Sequence, residues 1–162
     1  MKTLIFATGN PNKAREVKEM LGGLDVQVLT MREAGLALDI EETGATFREN
    51  SLIKARAVYD ASKKAVLADD SGLEIDFLGG APGVYSARFM GEDTSYDIKN
   101  AAILEKLAGV EDARRTARFV CTLVFIDEDG LETGVKVFVQ FVIDHMDGIT
   151  RIKHPKGEPD HG

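Results

Sequence analysis

The stretch Leu4-Ile5-Phe6-Ala7-Thr8-Gly9-Asn10-Pro11-Asn12-Lys13 carries the first decision about the fold. Its short apolar run reads as a buried strand, which Thr8-Gly9-Asn10 then turns. Asn10 suits a helix N-cap, because its side-chain oxygen accepts from the first free amides, and Pro11 loses nothing in the first turn by lacking an N–H. Ala14, Val17, Met20 and Leu21 recur on one face of that helix, and Gly22-Gly23 stop it. Strand, tight turn and helix N-terminus in such quick succession open an α/β chain.

Beyond this opening, Val26 to Leu29 reads as a second strand, followed by a loop from Asp39 to Ala45. Thr46 and Glu49 have the spacing of a capping box, predicting a helix to about Lys63 with Ile53, Ala57, Val58 and Ala61 inward. Ala65 to Ala68 is a short strand running directly into Asp69-Asp70-Ser71-Gly72. Leu73, Ile75 and Phe77 then alternate with acidic residues as a further strand. Past the turn-rich segment at 79–83, a third helix is predicted from Ser95 to Leu107, its core side formed by Ala101, Ile103, Leu104 and Leu107. Phe119 to Ile126 and Val135 to Ile143 are β-rich runs joined through the turn at 127–130, as in an antiparallel hairpin. Helix–strand alternation ending in a hairpin predicts an α/β fold with a mixed β-sheet, formed as one domain or as one domain in two lobes.

The composition narrows the function classes. The 162 residues carry 20 basic and 27 acidic side chains, a net charge of −7, with 44% apolar residues, which is globular composition. The acidic balance argues against unspecific nucleic-acid binding, which draws on clustered Lys and Arg. The opening apolar run is too short for a signal peptide, and no stretch approaches the roughly 20 apolar residues that span a bilayer. A single cysteine, Cys121, forms no intramolecular disulfide and suits a reducing cytoplasm; within its apolar β run it reads as buried rather than nucleophilic.

Two segments carry candidate chemistry. At Thr8-Gly9-Asn10-Pro11-Asn12-Lys13, helix amides and the Lys13 ammonium together favour an anion such as phosphate, while a capped helix with a surface lysine has the same pattern. The spacing matches neither a Walker P-loop nor G-x-G-x-x-G. Asp69-Asp70 at a strand end offers hard oxygen ligands of the kind Mg²⁺ takes alongside substrate phosphates, or is simply an acidic turn. Glu41-Glu42 could add a carboxylate, or form a solvated acidic loop. Lys54 and Arg88 could meet a polyphosphate. His145, His154 and His161 lack the i, i+4 spacing of a helical zinc site. Together these parts suggest Mg²⁺-assisted attack of water on a phosphoanhydride.

The blocks ATGNPNK (7–13), EETGATFRENSLIKA (41–55), ADDSGLEIDFLGGAPGVYSARFMGE (68–92) and RRTARFVC (114–121) resemble, in order and spacing, the Ham1 family of inosine/xanthosine triphosphate pyrophosphatases, also called dITP/XTP pyrophosphatases. The resemblance covers about residues 2–124. It implies a homodimeric α/β enzyme with an elongated mixed sheet and a cleft between two lobes. It also implies Mg²⁺-dependent hydrolysis of ITP, dITP and XTP to the monophosphate and pyrophosphate, cleansing the nucleotide pool of deaminated purines. Matched by motif, Thr8, Gly9, Asn10, Pro11, Asn12 and Lys13 would hold the triphosphate, and Ser71 would contact substrate. Asp70 would be the catalytic carboxylate and a metal ligand, Glu42 the second metal ligand, with Asp69 and Lys54 supporting the centre. The segments at 147–150 and 155–157 resemble the family's approach to a Phe-Gly-Tyr-Asp stretch. That stretch, a later Lys and a Ser-His-Arg that hold the purine in the family do not follow in residues 1–162, so weak or unselective pyrophosphatase activity is expected unless another chain supplies those groups. A non-catalytic nucleotide- or metal-binding remnant is one alternative. A Maf-like nucleotide pyrophosphatase is another, disfavoured by the ADDSG and ETGATFREN blocks.

Overall fold

A computed structural model describes residues 2–91 and 93–142, with side chains through Val135 apart from Glu92. His145, His154, His161 and the segments at 147–150 and 155–157 lie outside the described residues. The elements are β1 (Lys2–Ala7), α1 (Pro11–Leu21), β2 (Val26–Thr30), α2 (Phe47–Ser62), β3 (Ala65–Ile75), α3 (Tyr96–Lys106), β4 (Thr116–Ile126) and β5 (Glu132–Val142). The sheet has the order β2-β1-β3-β4-β5. β1 pairs in parallel with both β2 and β3. β4 and β5 are sheet neighbours joined by a short turn, which only an antiparallel pair allows, so the sheet is mixed.

The described residues divide into two compact units, residues 2–70 with 121–136, and residues 71–91 and 93–120 with 137–142. In the first, Ala55 and Val58 of α2 pack with Ile5, Ala7, Val66, Ala68, Val124 and Ile126. The inward face of α2 differs from the predicted one. Ala61 is exposed and Ile53 and Ala57 are only half-buried, whereas Asn50, Ser51, Ala55 and Val58 are buried. Two polar residues therefore occupy a core-facing stripe, each with a partner: the Ser51 hydroxyl donates to the Thr122 carbonyl at 2.8 Å, pinning α2 to β4. On α1, Ala14 is buried but Met20 is 77% exposed, so that helix packs on a narrower stripe than its apolar spacing suggests. Lys18 donates to both oxygens of Glu33 at 2.7 Å. With amide and hydroxyl bonds from Thr30, that lysine lowers the Glu33 carboxyl from the ordinary 4.5 to about 2.

In the second unit, Ile75, Ile103, Leu107 and Ala117 form a core flanked by Leu73, Leu78, Phe89, Leu104 and Val110. Ala101 faces outward, contrary to the predicted core side of α3. Arg115 is buried and donates to the carbonyls of Val110 and Leu107, satisfying groups that the end of α3 leaves open. Arg118 bridges Glu74 at 2.9 Å and Asp76 at 2.8 Å. The Thr116 hydroxyl first, and Arg118 after it, hold the Asp76 carboxyl below its usual range.

The largest departure from the sequence pattern lies in β3. Asp69-Asp70-Ser71-Gly72 is not a turn: the strand runs unbroken from Ala65 to Ile75, and Phe77 falls beyond it in a short 3-10 segment, 41% exposed. Both aspartates are buried within that strand. Partners on other elements meet their polar needs, and strand pairing overrides the turn preference of the residues.

A carboxylate–lysine cluster at the end of the parallel strands

Strand order places β1 between β2 and β3, so successive connections leave on opposite sides of β1. In open α/β sheets such a switch point, at the carboxyl ends of the strands, is where ligands bind. Register then decides which residues meet there. Ala7 pairs with Ala68, so the Thr8 turn stands beside Asp69 and Asp70.

The turn is built as predicted, with an internal cost to its amides. Asn10 is the N-cap of α1, and its Oδ1 accepts from the amides of Asn12 at 2.9 Å and Lys13 at 3.4 Å. The Asn10 amide donates to Thr8 Oγ1 at 3.1 Å. Two helix amides are thus already engaged, leaving the ammonium of Lys13 as the principal attraction for an anion. A Cβ on Gly9 would meet nothing within 4 Å, so no internal packing requires glycine there.

Lys13 Nζ reaches across to Asp69 Oδ2, joining the N-terminal turn of α1 to the middle of β3. The Asp69 side chain is 5% exposed and that of Lys13 35%, so the carboxylate is interior and the lysine is not. A second pair, Lys54 Nζ to Glu42 Oε1 at 2.8 Å, ties α2 to the preceding acidic loop. Asn50, one turn earlier on the same face of α2, is fully buried. Its Nδ2 donates to Asp70 Oδ2 at 3.1 Å, and its Oδ1 accepts from the Gly44 amide at 2.7 Å. The capping box completes the loop: Glu49 accepts from the Ala45 and Thr46 amides, and Thr46 Oγ1 accepts from the Glu49 amide.

Cys121 on β4 faces the same charges and is half-buried. Burial first, and Asp69 after it, push the thiol up; Asp70 adds to this, while Lys13 and Lys54 oppose it. Sequence reading pointed to neither Asn50 nor the place of Cys121. The only sign of Asn50 was a polar residue on a predicted helix where the buried stripe should lie. Ser71 opens the second unit, half-buried on β3. Arg88 also belongs to that unit, exposed, with its guanidinium 5.6 Å over the Tyr85 ring.

Three carboxylates against two lysines leave this cluster with excess negative charge, and every candidate ligand is a hard oxygen. Among the described residues, no three His, Cys, Asp or Glu side chains form a ready metal cage. A cation held here would take few protein oxygens and complete its shell with water and phosphate oxygens. That is the habit of Mg²⁺, so the residues fit such an ion.

Gly44 is the tightest point. A Cβ there would lie 2.6 Å from Asn50 Oδ1, 2.7 Å from Glu49 Cβ and 2.9 Å from the Asn50 amide nitrogen. Gly44→Ala is expected to cost about 1–3 kcal/mol from overpacking. A thermal melt should show it as a fall of about 2–4 °C per kcal/mol in a chain of this size.

The Ham1 family matches residues 4–147 of the chain. The dITP/XTP pyrophosphatase of Bacillus subtilis is 45% identical over 158 residues, spanning 98% of this chain and 76% of that protein. The dITP/XTP pyrophosphatase of Caldanaerobacter subterraneus is 44% identical over 149 residues, 91% of this chain and 74% of that one. Among solved structures, a HAM1 protein from Coxiella burnetii superposes with a TM-score of 0.82 at 33% identity, covering 90% of this chain and 75% of that chain. The Staphylococcus aureus Ham1 protein gives 0.80 at 36% identity, covering 89% and 73%. Sequence and fold agree over most of its length, and the chain belongs to the Ham1 family.

Proposed function

We propose that this protein hydrolyses deaminated purine nucleoside triphosphates, dITP, ITP and XTP, to the monophosphate and pyrophosphate with Mg²⁺. The observation that carries the proposal is the joining of Lys13 to Asp69 and of Asn50 to Asp70 at the switch point of the parallel strands. Lys13 and the open turn at Thr8, Gly9, Asn10, Pro11 and Asn12 bind the triphosphate, and the bare space at Gly9 admits phosphate oxygens close to the backbone. Lys54 sets the place of Glu42 and adds positive charge. Asp70 takes the proton of the attacking water. The water oxygen bonds to phosphorus, the bond between the α-phosphate and pyrophosphate breaks, and its electron pair leaves with the pyrophosphate. Asp70, Glu42 and Asp69 would hold the Mg²⁺ ion, which neutralises phosphate charge and makes pyrophosphate a better leaving group. Ser71 and Arg88 would contribute further substrate contacts.

The protein works as a cytoplasmic homodimer in this proposal. No helix among the described residues is long and apolar enough to cross a membrane. The dimer rests on the family resemblance, and light scattering tests it. The activity is tested by pyrophosphate release from dITP, ITP and XTP with Mg²⁺, with ATP and GTP as comparators. Release from none of the three deaminated nucleotides, with saturable dITP binding retained, would leave a nucleotide-binding protein instead of an enzyme. The ratio of ITP to ATP turnover measures how much base recognition this chain holds.

A further inference from the structure

We infer that Asn50 is a positioning residue that ties the acidic loop to the carboxylate of Asp70 through a single amide group. The catalytic meaning of the inference rests on the function proposed above; the mechanical link does not. Asn50 has no exposed surface, and its two amide atoms point to different partners. Oδ1 accepts from the Gly44 amide at 2.7 Å and Nδ2 donates to Asp70 Oδ2 at 3.1 Å. Only one orientation of the amide serves both, because a flip would set NH₂ against N–H and oxygen against carboxylate. A carboxylate in its place would keep the Gly44 bond but lose the donor to Asp70; alanine would lose both.

The surroundings hold this amide firmly. Ser51, the next residue, bonds to the Thr122 carbonyl and fixes α2 against β4. The tight space around Gly44 keeps the loop backbone pressed on Asn50. One turn on, Lys54 grips Glu42 of the same loop. Helix α2 thereby sets the loop that carries Glu42 and the side chain of Asp70 with one rigid surface, and Asn50 is the point where both are held.

The test uses N50D and N50A in the full chain. In isotope-labelled protein, three-bond couplings across χ1 of Asp70 should report a single rotamer in the wild type and averaging in both variants. The Gly44 amide should exchange slowly in the wild type and in N50D, and quickly in N50A. Turnover of dITP per folded molecule should fall about 10–100-fold in kcat with KM little changed, the usual size for loss of an outer hydrogen-bond partner. A purely structural role would lower the melting temperature and leave kcat per folded molecule alone. The inference is overturned if Asp70 keeps one rotamer in the variants, or if their kcat equals that of the wild type. Should N50D not fold, the same readouts on N50A decide. If the wild type hydrolyses none of the triphosphates, the proposed function falls while the couplings and amide exchange still decide the role of Asn50.

Discussion

Asp70→Asn should reduce pyrophosphate release by roughly 10²–10⁴-fold, the range for loss of a positioned proton acceptor, and leave the protein folded. Asparagine has the same shape, so its side-chain oxygen can still accept from Asn50 Nδ2, which now bonds Asp70 at 3.1 Å. What disappears is the negative charge, and with it both the basicity and a hard ligand for the cation. Removing a charge from a nearly closed site relieves desolvation, so the melting temperature should hold or rise. Measuring turnover and thermal unfolding on the same preparation separates the two effects. A D70N protein with near-wild-type turnover would take Asp70 out of the proposed role, whatever its stability.

Lys13→Met is the second large change, because one side chain serves two ends. Toward the substrate it removes a charge-assisted contact of about 1.5–3 kcal/mol, a drop of roughly 10–100-fold in kcat/KM. Toward the interior it strands Asp69, whose side chain is 5% exposed and bonded to Lys13. Breaking a wholly buried pair costs about 3–5 kcal/mol; here the 35% exposure of Lys13 lets water share the load, and the loss should be smaller. The double variant K13M/D69N separates the two roles. Neutralising Asp69 should recover most of the lost melting temperature, while kcat/KM stays low for want of the Lys13 ammonium and of the metal ligand that Asp69 supplies. Recovery of activity along with stability would mean that Lys13 acts only as the partner of Asp69.

Much of the local structure was legible in the residues because it is governed by neighbours in the chain. Asn10 and Pro11 open α1 and Thr46 and Glu49 close a capping box on α2, each through contacts spanning only a few residues. The hairpin turn at 127–130 is likewise local: Asp127 Oδ1 accepts from the amides of Asp129 and Leu131. The acidic pair was legible as a candidate at a strand end, but its burial inside an unbroken β3 was not, for the opposite reason. Asp-Asp-Ser-Gly prefers a turn on its own, and its extended, buried conformation depends on Lys13 and Asn50, which lie 56 and 20 residues away in sequence. The inward face of α2 was misjudged on the same ground. Apolar periodicity counts Ala57 and Ala61 and passes over Asn50 and Ser51, which are buried because their hydrogen bonds are satisfied by distant backbone and side chains.

The α/β class, the capped turn at Thr8 to Lys13 and the blocks that mark the family are each written in contiguous residues and can be read without the fold. Packing of distant segments is what sets Ala7 beside Ala68, so that the turn meets the acidic pair, and joins Gly44 to Asp70 through one buried amide on α2. Register and burial are collective properties of strands and a helix packed together. No single segment carries enough information, or enough free energy, to settle them alone.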